Sequence, residues 1–548
     1  MIEILGSDEQ IEMWLQDTKK EKITGAYVQT EIGHGSDVQS LQTTVVYDHD
    51  TKEFVVNTPD VKAIKFWPGE VALTSTHIVL FGRLIVNAKD HGVQAFLFQI
   101  RDSETHRLFK GLEAGDIGPK YGYKTKDNGY ILFDNFRIPK NALLSRYISI
   151  TEKGELKMQG NPKIAYGAML QLRIKLIEYS SGSILSTLEI AIRYGLFRKQ
   201  FRTLPKSQKE RSIFDYQSTQ AILMKVMAYS FSCFFVSKYL NEEKDIMIEE
   251  IQKGKFQKMK DLHSQVSALK AYYCQGAMDC MAACRECCGA HGYLQYAGFA
   301  FFQDTLSPNV TLEGDGYVLY QQTARDIFKH LSKLAKGDLI EGEYEYLNEI
   351  GFISDLKHEE DTFTFENLLQ IVKVSALNRI MNVGNLLRSK DGLSFDEKWN
   401  KKYLYDIVNC AKKHAVFISA KIFLDKLETV PISKGLRENL EILYQIYVTD
   451  LILQYGDDAL LSGYITSDHM NQIEQLHQDL VRKIAPRALS IVDSTHWNNR
   501  LLRSVIASPE DPYSEIYNYA SRAKINIKDK LDSQKYVTQL NKKLIARI

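Results

Sequence analysis

Charge of one sign, cysteine, proline and long apolar runs are all scarce in this chain. Lys+Arg number 69 against Asp+Glu 68 in 548 residues, a formal charge of +1. That balance argues against a nucleic-acid binder whose affinity comes from one large basic face, while leaving local patches open. Seven cysteines are too few for a disulfide scaffold and point to a reducing compartment. The uncharged run 226–237 is only 12 residues long, against the roughly 20 that a membrane-spanning helix needs. Residues 287–303 form a longer uncharged stretch, but it interleaves three Gly, one His and two Gln. The opening Met1-Ile2-Glu3 has neither the basic region nor the apolar core of a secretory signal. What is plentiful is aromatic: 30 Tyr and 25 Phe rule out a solvated, disordered chain. At roughly 150 residues per domain the length allows three or four domains.

Periodicity divides the chain. Residues 7–17 read as the end of a helix, with Ile11, Met13, Trp14 and Leu15 at helical spacing, and from Gly25 the pattern becomes strand-like. Segments 43–47 and 53–57 flank the turn Asp48-His49-Asp50 as a hairpin would; 77–86, 93–100 and 129–138 are further strands between Gly- and Asp-containing turns. From Lys163 the apolar spacing is helical over 164–201, 212–240, 257–288 and 314–335. The charged, Gly-containing stretch 336–358 reads as a linker, and 364–388, 396–427, 434–456 and 469–495 are helical again. The expected architecture is α+β and multidomain: a middle β-barrel or sandwich followed by two mainly helical bundles. Its boundaries are 1–22 (a leading helical segment), 23–150 (β), 151–335 (first bundle) and 336–548 (second bundle).

Four local patterns carry possible chemistry. In Gln29-Thr30-Glu31-Ile32-Gly33-His34-Gly35 the two glycines permit positive φ, and the Thr30 hydroxyl suits a ligand carbonyl or phosphate. The third glycine of a dinucleotide fingerprint is missing, Val38 standing there, so alone the loop reads first as a plain turn. Phe66-Trp67-Pro68-Gly69 offers an indole that could cover a flat ring, but on its own it reads first as a core Trp before a turn. Glu313, in Thr311-Leu312-Glu313-Gly314-Asp315-Gly316, precedes a helical run and follows Phe299, Phe301, Phe302 and Leu306. It is either a helix-capping acid or, if buried, a general base. Five cysteines crowd into 274–288 with His291 nearby, but no second Cys pair follows, so packed thiols are expected and no metal.

Taken in order, these pieces resemble the acyl-CoA oxidase family, relatives of the flavin-dependent acyl-CoA dehydrogenases. The resemblance rests on Gly25-Ala26-Tyr27-Val28-Gln29-Thr30-Glu31 with Gly33-His34-Gly35, Ile64-Lys65-Phe66-Trp67-Pro68-Gly69 and Gly115-Asp116-Ile117-Gly118-Pro119-Lys120-Tyr121-Gly122-Tyr123. It continues through Asp127-Asn128-Gly129-Tyr130, Asp134-Asn135-Phe136-Arg137-Ile138-Pro139, Ala191-Ile192-Arg193-Tyr194, Cys288-Gly289-Ala290-His291-Gly292-Tyr293, Glu313-Gly314-Asp315, Val492-Asp493 and Tyr513-Ser514-Glu515. It implies FAD held by the β domain and the first bundle. Thr30 would hydrogen-bond the flavin, the Gly69 backbone would lie against it, and Trp67 would wall its ring system. Glu313 would be the catalytic base and Arg173 would sit near the acyl-CoA. Arg198 would reach the FAD of a neighbouring subunit, which implies a homodimer. Leu170 stands where dehydrogenases carry Asp, favouring an oxidase.

The implied reaction converts a fatty acyl-CoA to a trans-2-enoyl-CoA and reduces O₂ to H₂O₂, as the first step of peroxisomal β-oxidation. A dehydrogenase passing electrons to a flavoprotein, or a weakened paralogue serving as a structural subunit, are the alternatives. Three departures accompany the resemblance: the family carries a helical domain ahead of the β domain, of which residues 1–22 would be a remnant, Ala290 replaces a glycine, and Gly316 replaces an asparagine. The implied compartment is the peroxisome, although the terminal Ala546-Arg547-Ile548 only loosely resembles a Ser-Lys-Leu address.

Overall fold

Strand alternation and helical spacing each build one compact unit of the protein. The computed structural model describes residues 1–159, 165–202, 209–358, 362–495, 499–527 and 530–546. The change of texture at Lys163 and the terminal Arg547-Ile548 lie outside these residues.

The first unit comprises Met1–Arg173 and Leu312–Val318. Strands β1 (Gly25–Val28), β2 (Thr44–Asp48), β3 (Glu53–Asn57), β5 (His77–Val86), β6 (Lys89–Gln99) and β9 (Phe136–Pro139) form a six-stranded sheet. β4 (Lys65–Gly69), β7 (Leu112–Asp116) and β8 (Asn128–Phe133) form a second sheet of three. Both β1 and β2 run parallel along one edge of β5, with Gly25 opposite His77 and Thr44 opposite Arg83. β6 pairs antiparallel along its other edge.

Because alternate side chains face opposite ways, β5 serves two cores. Ile78, Leu80, Leu84 and Val86 join Phe54, Phe96, Phe98 and Phe133 in one; each buried Phe there contributes roughly 1.5–3 kcal/mol. Phe81, with Ala95 and Leu97 of β6, joins Leu5 and Trp14 of the leading helices α1 (Ile2–Leu5) and α2 (Asp8–Lys19) in the other. α2 begins in the stretch that sequence read as the end of a helix, because Ser7 caps it. The Ser7 hydroxyl accepts from the Gln10 N–H at 3.3 Å, and Gln10 Oε1 accepts from the Ser7 N–H at 2.9 Å.

The run 129–138, expected as one strand, is two. Asn135 takes φ +47° between β8 and β9, a conformation that asparagine tolerates. β8 then pairs with β4 and β7, whereas β9 pairs with β3 in the other sheet.

The second unit comprises Ile174–Thr311 and Leu319–Ile548. It holds most of α3 (Ala165–Phe197), then α4 (Gln217–Gln252), α5 (Gln257–Cys287), α6 (Phe299–Leu306), most of α7 (Gly316–Leu334) and α8 (Phe365–Arg388). The helices Leu404–Thr429, Lys434–Tyr455 and Ser467–Ile484 follow. The helix expected over 164–201 stops at Phe197; two short strands, Lys199–Arg202 and Glu210–Ser212, pair antiparallel there instead. Buried tyrosines are tolerated because their hydroxyls pair: Tyr273 with Ser232 at 2.6 Å, Tyr447 with Ser419 at 2.6 Å, and Tyr447 with Tyr272 at 3.2 Å. The stretch 336–358, expected as a linker, carries a 3₁₀ segment, Gly342–Asp355, whose Tyr344, Tyr346, Leu347 and Ile353 are buried. Residues Gln217–Ile251 of α4 are long and apolar enough to cross a membrane by length and composition, and most of their apolar window is buried in the bundle.

All seven cysteines are unbridged, and six of them are buried, with Cys287 partly exposed. Burial pushes the thiols of Cys280, Cys284 and Cys288 well up, away from the reactive thiolate. A thiol reagent applied to the native protein is therefore expected to label about one cysteine of the seven. Rapid labelling of several before denaturation would contradict this packing.

Candidate active site

The loop after β1 is held from below by a buried ion pair. Glu31 and Lys65 are both fully buried, with Lys65 Nζ 3.0 Å from Glu31 Oε1. The three protons of Lys65 are matched by three acceptors, since Nζ also donates to the carbonyls of Gln29 (2.8 Å) and Phe81 (2.7 Å). Glu31 accepts from the N–H groups of Gln42 and Thr43 and from the Thr43 hydroxyl, at 2.7–2.8 Å. Burial alone would raise the Glu31 carboxyl; Lys65 and these hydrogen bonds outweigh it and hold the group below its usual range. Burial pulls Lys65 down to about 8, against the opposing pull of Glu31.

Thr30 sits between these anchors, half-buried, its carbonyl accepting from the Phe66 N–H at 2.9 Å. Neither Gly33 nor Gly35 takes the positive φ that sequence allowed. Gly33 is required for another reason: a Cβ there would lie 2.9 Å from Lys62 Cβ.

That same hydrogen bond fixes the start of Phe66-Trp67-Pro68-Gly69. Trp67 is 56% exposed and has φ +82°, a strained conformation for a bulky residue. The register of β4 against β8 shifts between Phe66 and Gly69, and Asn128 Nδ2 donates to the Trp67 carbonyl at 2.9 Å. Beyond Gly69 the chain is pinned by Asp127, whose carboxylate accepts from the N–H groups of Ala72, Leu73 and Thr74 at 2.9–3.1 Å. Arg101, buried, donates to the carbonyls of Val71, Ala72 and Ser75. The expected core Trp is thus excluded, and the indole is displayed on a rigid bulge.

Glu313 lies in a turn of two successive left-handed residues, φ +57° at Glu313 and +102° at Gly314. Its Oε2 is buried, and its carbonyl accepts from Arg173 Nε at 2.9 Å. Asp315, rather than Glu313, caps α7, accepting from the N–H groups of Tyr317 (3.0 Å) and Val318 (3.2 Å). Ser36 Oγ approaches Asp315 Oδ2 at 3.5 Å, bringing the loop after Thr30 to this turn. Arg173 is buried; desolvation lowers its pKa, with Glu313 and Tyr27 opposing. Leu170, one turn earlier on α3, is fully buried.

Arg198 belongs to the second unit and has its own neighbours. Its N–H donates to the Tyr194 carbonyl at 2.8 Å and its carbonyl accepts from the Ile213 N–H at 2.9 Å. The Tyr194 hydroxyl meets His291 Nδ1 at 2.6 Å. In the turn containing His291, the left-handed φ (+58°) falls on Gly289, which is retained, while Ala290 is exposed with an ordinary φ. The alanine is therefore accommodated without strain.

Thr30, Trp67, Gly69, Arg173 and Glu313 thus share the first unit, and Arg198 stands in the second. Sequence reasoning missed Glu31 and Lys65 as supports. The available signal was a lysine between Ile64 and Phe66, at a strand position whose alternation points inward and so demands a partner of opposite charge. Among the described residues, no group of three or more His, Cys, Asp or Glu side chains is placed to hold a metal ion.

Residues 166–328 match the acyl-CoA oxidase C-alpha1 domain, and residues 364–543 match a second acyl-CoA oxidase domain. The rat peroxisomal acyl-coenzyme A oxidase 1 is 31% identical over 552 residues, spanning 98% of this chain and 83% of its own. The human protein of that name is 30% identical over 550 residues, with the same coverage. Among solved structures, an acyl-CoA oxidase from tomato superposes with a TM-score of 0.94 at 30% identity, covering 98% of this chain and 83% of that one. Acyl-CoA oxidase-2 of Caenorhabditis elegans, bound with FAD, ascaroside-CoA and ATP, gives 0.94 at 26% identity, covering 99% and 81%.

Proposed function

Since the chain belongs to the acyl-CoA oxidase family, we propose that it is an FAD-dependent oxidase of fatty acyl-CoA thioesters. Its products would be a trans-2-enoyl-CoA and hydrogen peroxide. The observation that carries this reading is the Glu313 turn. A carboxylate with a buried oxygen is anchored through its own backbone to Arg173, in the same compact unit as Thr30 and the displayed Trp67.

The donor set suits a flavin. Trp67 offers a flat apolar face, Thr30 a hydroxyl at its polar edge, and Gly69 a backbone without a side chain. Bound FAD would supply the acceptor for the substrate β-hydride and the route for its electrons to O₂. The chain's own part is proton transfer and orientation. The α-proton of a thioester is too weakly acidic for an unaided carboxylate, so hydrogen bonds to the thioester oxygen must stabilise the developing enolate. Glu313 would take that proton on a carboxylate oxygen, and the Arg173 contact would hold the turn still while it does so. Arg198 would reach the FAD of a second copy of the chain. We place the protein in the peroxisome, with its 30–31% identical relatives.

The test is anaerobic addition of a long-chain acyl-CoA to the flavin-containing protein, followed by air. Bleaching with prompt recovery and peroxide release is expected. Absence of bleaching would overturn the reading, and slow recovery would make the protein a dehydrogenase. A second expected result concerns Arg198→Ala, in which FAD affinity falls about tenfold through loss of a charge-assisted contact and the dimer weakens. The ratio of flavin to protein absorbance after gel filtration, with light scattering, measures both; unchanged FAD content would remove the role.

A further inference from the structure

The C-terminal Tyr513-Ser514-Glu515, matched in sequence and given no role, meets the one site residue of the second unit. Arg198 Nη1 donates to the Tyr513 hydroxyl at 3.1 Å across 315 positions of chain. Its guanidinium carbon lies 5.5 Å from the centroid of the same ring. That ring is itself fixed, packing edge-on against Phe197 at 4.9 Å. Its backbone opens the helix Pro512–Ser521, where the Asp511 carboxylate accepts from the Tyr513 N–H at 3.0 Å.

An arginine side chain has many rotamers, and it loses that freedom on engaging a ligand. A residue that holds the guanidinium beforehand removes much of that loss. Tyr513 has the two means of doing so, a hydroxyl acceptor and a π face, and it takes one of the five guanidinium donors. The nearby His291 does not compete as a cation, because burial first, and the charge of Arg198 second, hold its imidazole below the usual range.

We propose that Tyr513 is a positioning residue for the cofactor: it holds Arg198 in the orientation that receives the diphosphate, the anionic part of FAD. The proposal rests on the reading of Arg198 given above. Tyr513 makes the helix Pro512–Ser521 part of the cofactor site without itself touching the cofactor.

Tyr513→Phe tests it, because the ring, its packing on Phe197 and its π face all remain while the hydroxyl goes. The rate at which FAD fluorescence appears on dilution of the holoenzyme is compared for the native protein, Tyr513→Phe, Arg198→Ala and the double variant. Melting temperature controls for folding. Tyr513→Phe is expected to release FAD on the order of five- to tenfold faster, to melt as the native protein does, and to add nothing once Arg198 is alanine. A native release rate for Tyr513→Phe alongside fast release from Arg198→Ala would overturn the positioning role and leave Arg198 assigned. An equal effect of Tyr513→Phe in both backgrounds would show that it acts independently of Arg198, and would also overturn it. Native release from Arg198→Ala would remove the underlying assignment and the proposal with it.

Discussion

Glu313→Gln is expected to hold FAD as the native protein does and to reduce it about 10³-fold more slowly when acyl-CoA is added. The substitution keeps the shape of the side chain, so the left-handed backbone at 313 and the Arg173 hydrogen bond to its carbonyl are retained. The capacity to take the α-proton is lost, together with the negative charge that faces Arg173. Stopped-flow bleaching of the flavin measures the effect, with the flavin-to-protein absorbance ratio as the control for cofactor content. Reduction within a factor of about ten of the native rate would mean that another group is the base.

Lys65→Met is expected to cost about 3–5 kcal/mol, because it leaves the Glu31 charge buried without its partner. It also strips the donor from the carbonyls of Gln29 and Phe81. In a unit of this size such a loss lowers the melting temperature by about 10 °C. The double variant Glu31→Gln with Lys65→Met is expected to recover part of that loss. A neutral amide no longer needs a cation, and its one oxygen can still accept from the N–H and hydroxyl of Thr43, while its NH2 replaces the acceptor of the Gln42 N–H. The contrast between single and double variants is the informative measurement: equal melting temperatures for the two would mean that the buried charge is not what makes the single variant unstable.

Legibility from sequence followed the range of the interactions. The strand His77–Val86 and the hairpin of β2 and β3 were readable because alternation and turn residues act within a few positions, whereas the start of the helix after Ser7 was not read. The break at Asn135 was hidden because the residues on either side of it are equally apolar, and only their partners, one in each sheet, tell them apart. Within the site, Thr30, Trp67 and Glu313 could be named from short motifs, yet the sequence alone preferred a core position for Trp67. Its exposure depends on a bulge set by Asn128, 61 positions away. The Glu31–Lys65 pair and the Arg198–Tyr513 contact join residues 34 and 315 positions apart, and no local pattern encodes either.

The grouping of Leu312–Val318 with the β strands has a consequence for anyone who would dissect this chain. In sequence the proposed base lies deep among helices, but in space it belongs to the unit built by the first 173 residues. A fragment cut after the last strand would retain the Thr30 loop and the Trp67 bulge and would leave the carboxylate behind. A fragment beginning at the first long helix would carry that carboxylate without the ion-paired loop and the bulge that share its unit. The half-sites would be chemically mute apart, and recombining the pieces would have to restore a turn of seven residues before either could act.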